Sequence, residues 1–381
     1  MIDIGPQRAL FDIPPGVAYL NTAYNAPLLN SSRARLIASA GAKSHPWERP
    51  ASDFFADAER LRELAAGLFG GDADGYAVIP ASSYGISTAA RAVEPTLKSG
   101  DRIVLLDEDF PSNVLPWRRV ARETGAILVT VPTPADGDWT AATLATIAQG
   151  AKVVAAGNCH WTNGARLDLE AIGHACRQQG AVLSLDITQS LGALPFDVAA
   201  VQPDFMVASG YKWLLCPYGF SLMYVGPRWR DARPLEEIWL ARMDAQNFAG
   251  LVKYNDAYKP GARRFDVGET CTAILPGAIA ALEQLQAWGV VQISEALGAI
   301  NRRIQDRLET LGFTLPPPAQ RCPHMFGARL PKEFTGDLVG ALRARQVYIS
   351  QRGSSVRFAP HLHVTEADLD QLFAALETIL A

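Results

Sequence analysis

Two residues of contrasting chemistry each follow an apolar segment of this chain. Asp186 comes directly after the run Ala181–Leu185, and Lys212 lies a few residues beyond the run Asp204–Ala208. Lysine is rarely buried without a partner or a task, and this one precedes the apolar residues Trp213-Leu214-Leu215. Such surroundings lower the pKa of an amine and leave it free to attack a carbonyl group.

Each residue taken alone also has an ordinary structural explanation. Asp186 could cap a helix or join an ion pair, and Lys212 could extend along the surface into solvent. Together they suggest pyridoxal phosphate, because this cofactor needs an amine to hold its aldehyde as an imine and a carboxylate to keep its ring nitrogen protonated. It also needs an anion site for its phosphate and a flat side chain over its ring.

Candidates for these two further requirements lie nearer the N-terminus. Ser82 and Ser83 follow the apolar segment Tyr76–Ile79 at the start of a predicted helix, where free amide and hydroxyl groups can bind an anion. Phe110 follows the predicted strand Arg102–Leu106 and could stack on the ring. Plain helix capping by serine and a core position for Phe110 are the alternative interpretations.

The elements that must position these residues alternate between short apolar runs and helical patterns. Seven runs predict strands, namely Tyr76–Ile79, Arg102–Leu106, Ala126–Val131, Lys152–Ala156, Ala181–Leu185, Asp204–Ala208 and Phe220–Val225. The alternation favours an α/β fold, in which a large domain has a mostly parallel seven-stranded sheet flanked by helices. The last two runs are too close for an intervening helix, so one of them is expected to run antiparallel.

The C-terminal third of the chain has a different pattern. Its predicted helices and strands are Pro276–Trp288, Ser294–Leu311, Phe326–Leu330, Val347–Ser350 and Ser355–Phe358. A final helix is predicted to start at Thr365, with Asp368 as its capping-box partner. We therefore expect a large cofactor-binding domain over residues 18–262 and a smaller α+β domain made of residues 1–17 and 263–381.

Composition argues against several other classes of protein. The chain has 381 residues, of which 49% are hydrophobic and 19% charged, with a formal net charge of −4. The sequence has no basic stripe, so nucleic-acid binding is not expected. It also has no long apolar run and no leader-like start, so neither a membrane span nor secretion is expected. The dinucleotide, P-loop and hydrolase motifs G-x-G-x-x-G, G-x-x-x-x-G-K-[ST] and G-x-S-x-G are also missing.

The cysteines and histidines do not indicate a metal site. The five cysteines are scattered and odd in number, which favours reduced thiols of a cytoplasmic protein. His361 and His363 could share one face of a short strand, but nothing nearby completes a set of ligands. We therefore interpret them as an ordinary surface pair and expect no bound metal.

Together these segments resemble the class V aminotransferases, fold-type I pyridoxal-phosphate enzymes that include cysteine desulfurases, kynureninases and isopenicillin epimerase-like proteins. The resemblance extends from the segment Tyr19–Ala23 to the segment around Arg357. Its most specific part is Asp186-x-x-Gln189, followed by Ser209-x-Tyr211-Lys212 and then Gly219-Phe220.

The resemblance implies a role for each residue that would bind the cofactor. Lys212 would hold the cofactor as an imine and move the Cα proton, Asp186 would pair with the ring nitrogen, and Gln189 would lie near the phenolic oxygen. Phe110 would occupy the ring-stacking position. The phosphate would be held by the hydroxyl groups of Ser82, Ser83, Ser209 and Tyr211. Thr270 would reach the phosphate of a neighbouring subunit, which implies a homodimer with shared active sites.

On the substrate side, Arg357 matches the arginine that binds the substrate carboxylate, a group that a guanidinium fits geometrically. Trp161 or Thr162 falls near the place of a ring-side asparagine, where the kynureninase branch has aromatic residues. Tyr24 is a further candidate for the pocket. The desulfurases carry a nucleophilic cysteine shortly before this arginine, but residues 339–356 contain none. A reaction through an enzyme persulfide is therefore not expected.

The resemblance implies an enzyme whose small-molecule substrate is a free amino acid and which acts at its Cα atom. Transamination is the preferred reaction on the family label. A β-lyase reaction, by a C–S lyase or a kynureninase-like enzyme, and epimerisation begin with the same loss of a Cα substituent and stay open. A non-catalytic scaffold of the same fold is the remaining alternative.

Overall fold

The computed structural model describes residues 4–269 and 271–381. Twelve strands occur in this part of the chain, β1 (Ala18–Tyr19), β2 (Tyr76–Ile79), β3 (Arg102–Leu106), β4 (Ile127–Val131), β5 (Val153–Ala156), β6 (Val182–Asp186), β7 (Phe205–Ser209), β8 (Ser221–Val225), β9 (Phe326–Arg329), β10 (Val347–Tyr348), β11 (Ser350–Arg352) and β12 (Ser355–Phe358). The α-helices are α1 (Asn30–Ala42), α2 (Asp53–Phe69), α3 (Ser82–Val93), α4 (Pro111–Thr124), α5 (Trp139–Ile147), α6 (Leu169–Gln179), α7 (Val198–Val201), α8 (Leu275–Trp288), α9 (Val290–Thr310), α10 (Leu338–Arg343) and α11 (Glu366–Leu380).

The central sheet has seven strands in the order β2-β8-β7-β6-β5-β3-β4. Strand β8 runs antiparallel to both of its neighbours, and the other neighbouring strands are parallel. The predicted α/β fold with one antiparallel strand among the last two is therefore confirmed. Because β2 points the same way as the parallel strands, the carboxyl ends of β2, β3, β5, β6 and β7 share one edge, where ligands bind in sheets of this kind.

Helices cover both faces of this sheet, which explains why its central strands are apolar throughout. All residues of β5, β7 and β8 are buried, whereas the edge strand β4 has exposed positions. Successive residues of a strand contribute to opposite cores, since Val78 packs in one hydrophobic cluster and Ile79 in the other.

Close packing of α3 on the sheet depends on Gly85. A Cβ atom at this position would lie 2.6 Å from Ile79 Cδ1 and 2.8 Å from Val207 Cγ2. Any larger residue would push the first turn of the helix away from β2 and β7. The glycine therefore holds the N-terminus of α3 at the carboxyl edge of the sheet.

The remaining strands form two small sheets. Strands β11, β12 and β9 form an antiparallel sheet, and β1 pairs in parallel with β10. The predicted strand Val347–Ser350 is thus two short strands in different sheets. The predicted capping box of Thr365 and Asp368 is present at the start of α11. The domain division at residues 18 and 262 stays a prediction.

The interpretation of His361 and His363 as a surface pair is wrong. Both side chains are fully buried, with their rings stacked at 6.3 Å between centroids. Trp288 of α8 lies beside His361, and Phe11 near the N-terminus lies beside His363. Burial lowers the pKa of both, to about 4 for His363. The residues that cover the pair are distant in sequence, so no local pattern could reveal this burial.

No helix in residues 4–269 and 271–381 is long and apolar enough to cross a membrane.

Candidate active site

A cavity lies at the carboxyl edge of the central sheet. Its walls come from the segments that follow β2, β3, β5, β6 and β7. The residues that line it are Ser82, Leu106, Asp109, Phe110, Gly157, Cys159, His160, Trp161, Asp186, Thr188, Gln189, Ser209, Tyr211 and Lys212. The structure therefore brings together most of the residues that the sequence singled out.

Lys212 is buried in a tight turn between β7 and β8. Its side chain is only 6% exposed, and the rings of Phe110 and Tyr211 lie 5.6 and 5.5 Å from its Nζ atom. The turn requires Leu215 to adopt a left-handed conformation with φ of 56°. Burial lowers the pKa of the Lys212 amine to about 8, and the charge of Asp186 only partly opposes this shift.

Asp186 ends β6 with its carboxylate pointing into a buried environment. Thr188 N donates a hydrogen bond to its Oδ1 at 3.0 Å. Burial raises the pKa of this carboxyl group, while Thr188 and the charge of Lys212 act in the opposite direction. Among the residues that the structure describes, no lysine, arginine or histidine forms a salt bridge with it. A buried carboxylate without a cationic partner suits the protonated ring nitrogen of a ligand.

The N-terminus of α3 offers an anion site at the other side of the cavity. Ala81 precedes the helix and has no side-chain acceptor, so the first helical amides are not capped. The hydroxyl-bearing residues Ser82, Ser209 and Tyr211 line the cavity. Ser83 is exposed and lies outside the lining.

Two of the other residues expected to contact a cofactor also lie in the cavity wall. Gln189 is 7% exposed and lines the cavity three residues after Asp186. Phe110 immediately precedes α4 and packs edge-on against Trp161, with ring centroids 5.3 Å apart. Thr270, expected to reach a neighbouring subunit, lies outside the described residues. The roles of these residues stay predictions.

Arg357 lies behind the cavity wall and is 1% exposed. Its Nη1 donates a hydrogen bond to the carbonyl oxygen of Trp161 at 2.6 Å. Its Nε and Nη2 have no hydrogen-bond partner within residues 4–269 and 271–381. Burial, followed by the charge of Arg352, lowers the pKa of the guanidinium to about 9. Buried donors without acceptors are costly, so this guanidinium is prepared for an anionic ligand.

Tyr24, the other candidate for the substrate side, is placed differently. Its side chain is 58% exposed and is not part of the cavity lining.

Arg352, which the sequence did not single out, lies close to the cavity wall, with its guanidinium 5.9 Å from the centre of the Trp161 ring. Its charge also lowers the pKa of Lys212.

Asp109 and His160 line the cavity and were missed from the sequence. Asp109 accepts hydrogen bonds from Phe110 N at 2.7 Å and Asn113 Nδ2 at 2.8 Å, and burial raises its pKa to about 6. His160 contacts Thr162 Oγ1 at 2.8 Å through one ring nitrogen and a main-chain oxygen at 3.0 Å through the other. Asp109 is one of three successive acidic residues, and the sequence offers no reason to choose it.

The chain is similar in sequence to proteins of a known family. The family model "Aminotransferase class-V" matches residues 27–370. A probable cysteine desulfurase of Pyrococcus abyssi is 28% identical over 173 residues, 45% of this chain but only 43% of that protein. The isopenicillin N epimerase of Streptomyces clavuligerus is 25% identical over 394 residues, covering 98% of this chain and 96% of the epimerase.

The fold also resembles solved structures over nearly its whole length. The cystine C–S lyase C-DES, solved with its reaction product cysteine persulfide, superimposes with a TM-score of 0.85 at 19% identity. The match covers 96% of this chain and 98% of the lyase. An apo cysteine desulfurase from Thermococcus onnurineus NA1 gives the same TM-score at 18% identity.

Proposed function

The chain belongs to the class V aminotransferase family and is a pyridoxal-phosphate enzyme, and on this premise we propose that it is a lyase that breaks the Cβ–S bond of a small sulfur-containing amino acid. The observation that carries the proposal is the buried amine of Lys212 in the cavity, whose pKa is lowered to about 8 and which forms no salt bridge with the residues that the structure describes. The desulfurase and lyase among the similar proteins described above favour elimination over transamination, which also needs only one base.

The cavity suits the cofactor at each of its polar ends. Lys212 would hold the aldehyde, Asp186 the ring nitrogen, and the N-terminus of α3 with Ser82 and Ser209 the phosphate. The best support for this fit is the buried carboxylate of Asp186, which has no salt-bridge partner in the described chain. When bound, the protonated pyridine ring accepts the electron pair released at Cα.

His160 and Asp109, two other titratable residues of the cavity, are held by hydrogen bonds within the protein. His160 uses both ring nitrogens, and Asp109 uses both carboxylate oxygens, in hydrogen bonds to neighbouring residues. The Tyr211 phenol has its pKa raised to about 12 by burial. Lys212 can therefore take the Cα proton and later release it, whereas epimerisation through two bases would need a second free group on the opposite side.

The sequence analysis favoured transamination, but the relatives support elimination. The P. abyssi relative is named for desulfurisation of cysteine, and the similar structure is named a cystine C–S lyase. In the proposed reaction, the substrate and water yield pyruvate, ammonium and the sulfur leaving group, which is sulfide from cysteine, a thiol from an S-alkyl cysteine and a persulfide from cystine. Arg357 would bind the substrate carboxylate through its unpaired Nε and Nη2 donors.

The sulfur is expected to leave with the product and not to pass to the enzyme. Residues 339–356, before Arg357, contain no cysteine. Cys159 does line the cavity, but burial raises its pKa well above the usual value, so it stays a thiol at neutral pH. A thiol in this state is a poor sulfur acceptor.

A screen of amino acids against the purified holoenzyme tests the proposal. Cystine, cysteine, S-alkyl cysteines and sulfur-free amino acids would each be incubated with the yellow protein. Pyruvate, ammonium and released thiol or sulfide would be measured, together with keto acid formed in the presence of an amino acceptor and the opposite enantiomer of each substrate.

We expect equal amounts of pyruvate and ammonium from at least one sulfur amino acid. A different keto acid in the presence of an acceptor would instead identify an aminotransferase, and the opposite enantiomer an epimerase. Colourless protein that takes up no added pyridoxal phosphate would favour a non-catalytic scaffold.

Replacing Arg357 with alanine is expected to raise KM for the amino acid by about 10- to 100-fold, the usual loss for hydrogen bonds to a charged group. The dissociation constant for the cofactor should change much less, because Arg357 bonds the main chain of Trp161 and is not one of the residues proposed to hold the cofactor. Steady-state kinetics and a cofactor titration measure the two effects. An unchanged KM would remove Arg357 from the substrate site.

The pH dependence of cofactor attachment follows from the lowered pKa of Lys212. Only the neutral amine attacks an aldehyde, so the rate should rise about tenfold per pH unit below 8 and level off above it. At pH 7 about 9% of the amine is then neutral, against about 0.03% for a lysine with a pKa of 10.5. Stopped-flow absorbance of apoprotein mixed with pyridoxal phosphate measures this rate. A rate that still rises steeply at pH 10 would contradict the assignment.

The proposal has two further parts. The enzyme forms a homodimer with shared active sites, and it is located in the cytoplasm. Exposed aromatic side chains lie near the segment 235–258, and Phe54 packs edge-on against Phe248 there. Such a patch is typical of a surface that another subunit covers. The scattered free cysteines support a reducing compartment.

A further inference from the structure

The side-chain amide of Gln189 is held in one orientation by two partners. Trp213 Nε1 donates a hydrogen bond to Gln189 Oε1 at 3.2 Å, and Gln189 Nε2 donates to the carbonyl oxygen of Ala23 at 3.1 Å. An indole nitrogen can only donate and a main-chain carbonyl can only accept. The two contacts therefore require the same orientation of the amide, with its oxygen toward Trp213.

A third contact holds the main chain of Gln189. His324 Nε2 contacts the carbonyl oxygen of Gln189 at 2.6 Å, and the His324 ring packs edge-on against Trp213 with centroids 4.5 Å apart. Burial lowers the pKa of His324 to about 4, so the neutral ring donates its Nε2 proton here. Trp213 is the residue next to Lys212, which couples the position of Gln189 to the turn that carries the amine.

This arrangement leaves Gln189 one N–H for a ligand. Nε2 carries two hydrogens, and Ala23 is its acceptor in the part of the chain that the structure describes. With the aldehyde at Lys212, the ring nitrogen at Asp186 and the phosphate at the N-terminus of α3, the remaining polar substituent of the cofactor is its 3-hydroxyl oxygen. Among the residues that line the cavity in the described chain, Gln189 carries the side-chain amide that can donate to this oxygen.

We propose that Trp213 is a positioning residue that fixes the Gln189 amide so that its second N–H faces the 3-oxygen of the bound cofactor. The inference rests on the proposed cofactor site, but it holds for any reaction that the enzyme carries out. Without the indole donor, the Ala23 carbonyl oxygen alone would hold the amide, and its second N–H would no longer be fixed toward the 3-oxygen.

A tryptophan at this place could also be an ordinary part of the core, and Trp117 supplies the matched control. Both indoles are fully buried and neither lines the cavity, but Trp213 Nε1 donates to Gln189, whereas Trp117 Nε1 has no hydrogen-bond partner in the described chain. Trp117→Phe therefore removes a buried indole of the same size without touching the cofactor site.

The experiment measures the dissociation constants of pyridoxal 5′-phosphate and of 3-deoxypyridoxal 5′-phosphate for the wild type, Trp213→Phe and Trp117→Phe. We expect Trp213→Phe to weaken binding of pyridoxal phosphate about three- to tenfold, the usual effect of one lost hydrogen bond. It should leave binding of the 3-deoxy analogue within about twofold of the wild type, because that analogue lacks the acceptor. Trp117→Phe should not discriminate between the two cofactors.

A double variant tests whether Trp213 acts through Gln189. Gln189→Ala combined with Trp213→Phe should bind pyridoxal phosphate no more weakly than Gln189→Ala alone. Equal losses for both cofactors in Trp213→Phe, or additive losses in the double variant, would overturn the inference. If Trp213→Phe does not fold, Trp213→Leu, which also removes the donor, provides the same comparison. A wild type that binds neither cofactor would contradict the proposed function itself.

Discussion

Lys212→Ala is expected to lower turnover by at least about 10³-fold with whichever amino acid the screen identifies. The variant loses the amine that would hold the cofactor and move the Cα proton, and a positioned proton-transfer group alone contributes about 10²- to 10⁴-fold. The depressed pKa of Lys212, about 8, makes it suited to both tasks near neutral pH. Steady-state assays of pyruvate or keto-acid release measure the loss.

Lys259 supplies a control for this variant. Its pKa is also lowered by burial, and its Nζ donates a hydrogen bond to the Leu240 carbonyl oxygen at 2.9 Å, but it does not line the cavity. Lys259→Ala should keep turnover within a few-fold of the wild type. Borohydride should fix the cofactor on the Lys212 peptide in the wild type and in Lys259→Ala. Substantial turnover by Lys212→Ala, or label on another lysine, would contradict the assignment.

Asp186→Asn is expected to lower kcat by about 10²- to 4 × 10³-fold. Removing one charge of a buried ionic pair typically costs about 3–5 kcal/mol, and each 1.4 kcal/mol corresponds to a factor of ten. The asparagine keeps the shape of the side chain but no longer favours the protonated ring, so the ring becomes a weaker electron acceptor. The kcat of the variant and the absorbance spectrum of its bound cofactor would be measured together.

Asp109 allows a matched comparison, since it is a second buried carboxyl group in the same cavity wall. Its two oxygens accept hydrogen bonds from Phe110 N and Asn113 Nδ2, which indicates a structural role at the start of α4. Asp109→Asn should therefore lower kcat by less than about tenfold, the cost of disturbing ordinary hydrogen bonds. Similar losses in the two variants would mean that the charge of Asp186 has no special function.

Local sequence patterns predicted the strands of the central sheet because each is a short apolar run buried on both faces. The ends of β2 and β3 agree with the prediction, and those of the other five strands differ by one residue. The short connection after β7 predicted that one of the last two strands runs antiparallel, and the pairing of β8 with β2 and β7 decided which one. The split of the predicted strand Val347–Ser350 did not, because pairing with β1 near the N-terminus decides it.

The site divides in the same way. The sequence by itself determined which residue types could carry the chemistry, because Asp186 and Lys212 each follow an apolar strand, and strand ends meet at one edge of a parallel sheet. Tertiary structure alone decided which neighbours complete the cavity. Of three successive acidic residues, Asp109 lines the cavity, whereas Ser83 and Tyr24 lie outside the lining. His361 and His363 are buried. These outcomes depend on contacts between residues far apart in the chain, and local patterns carry no information about such contacts.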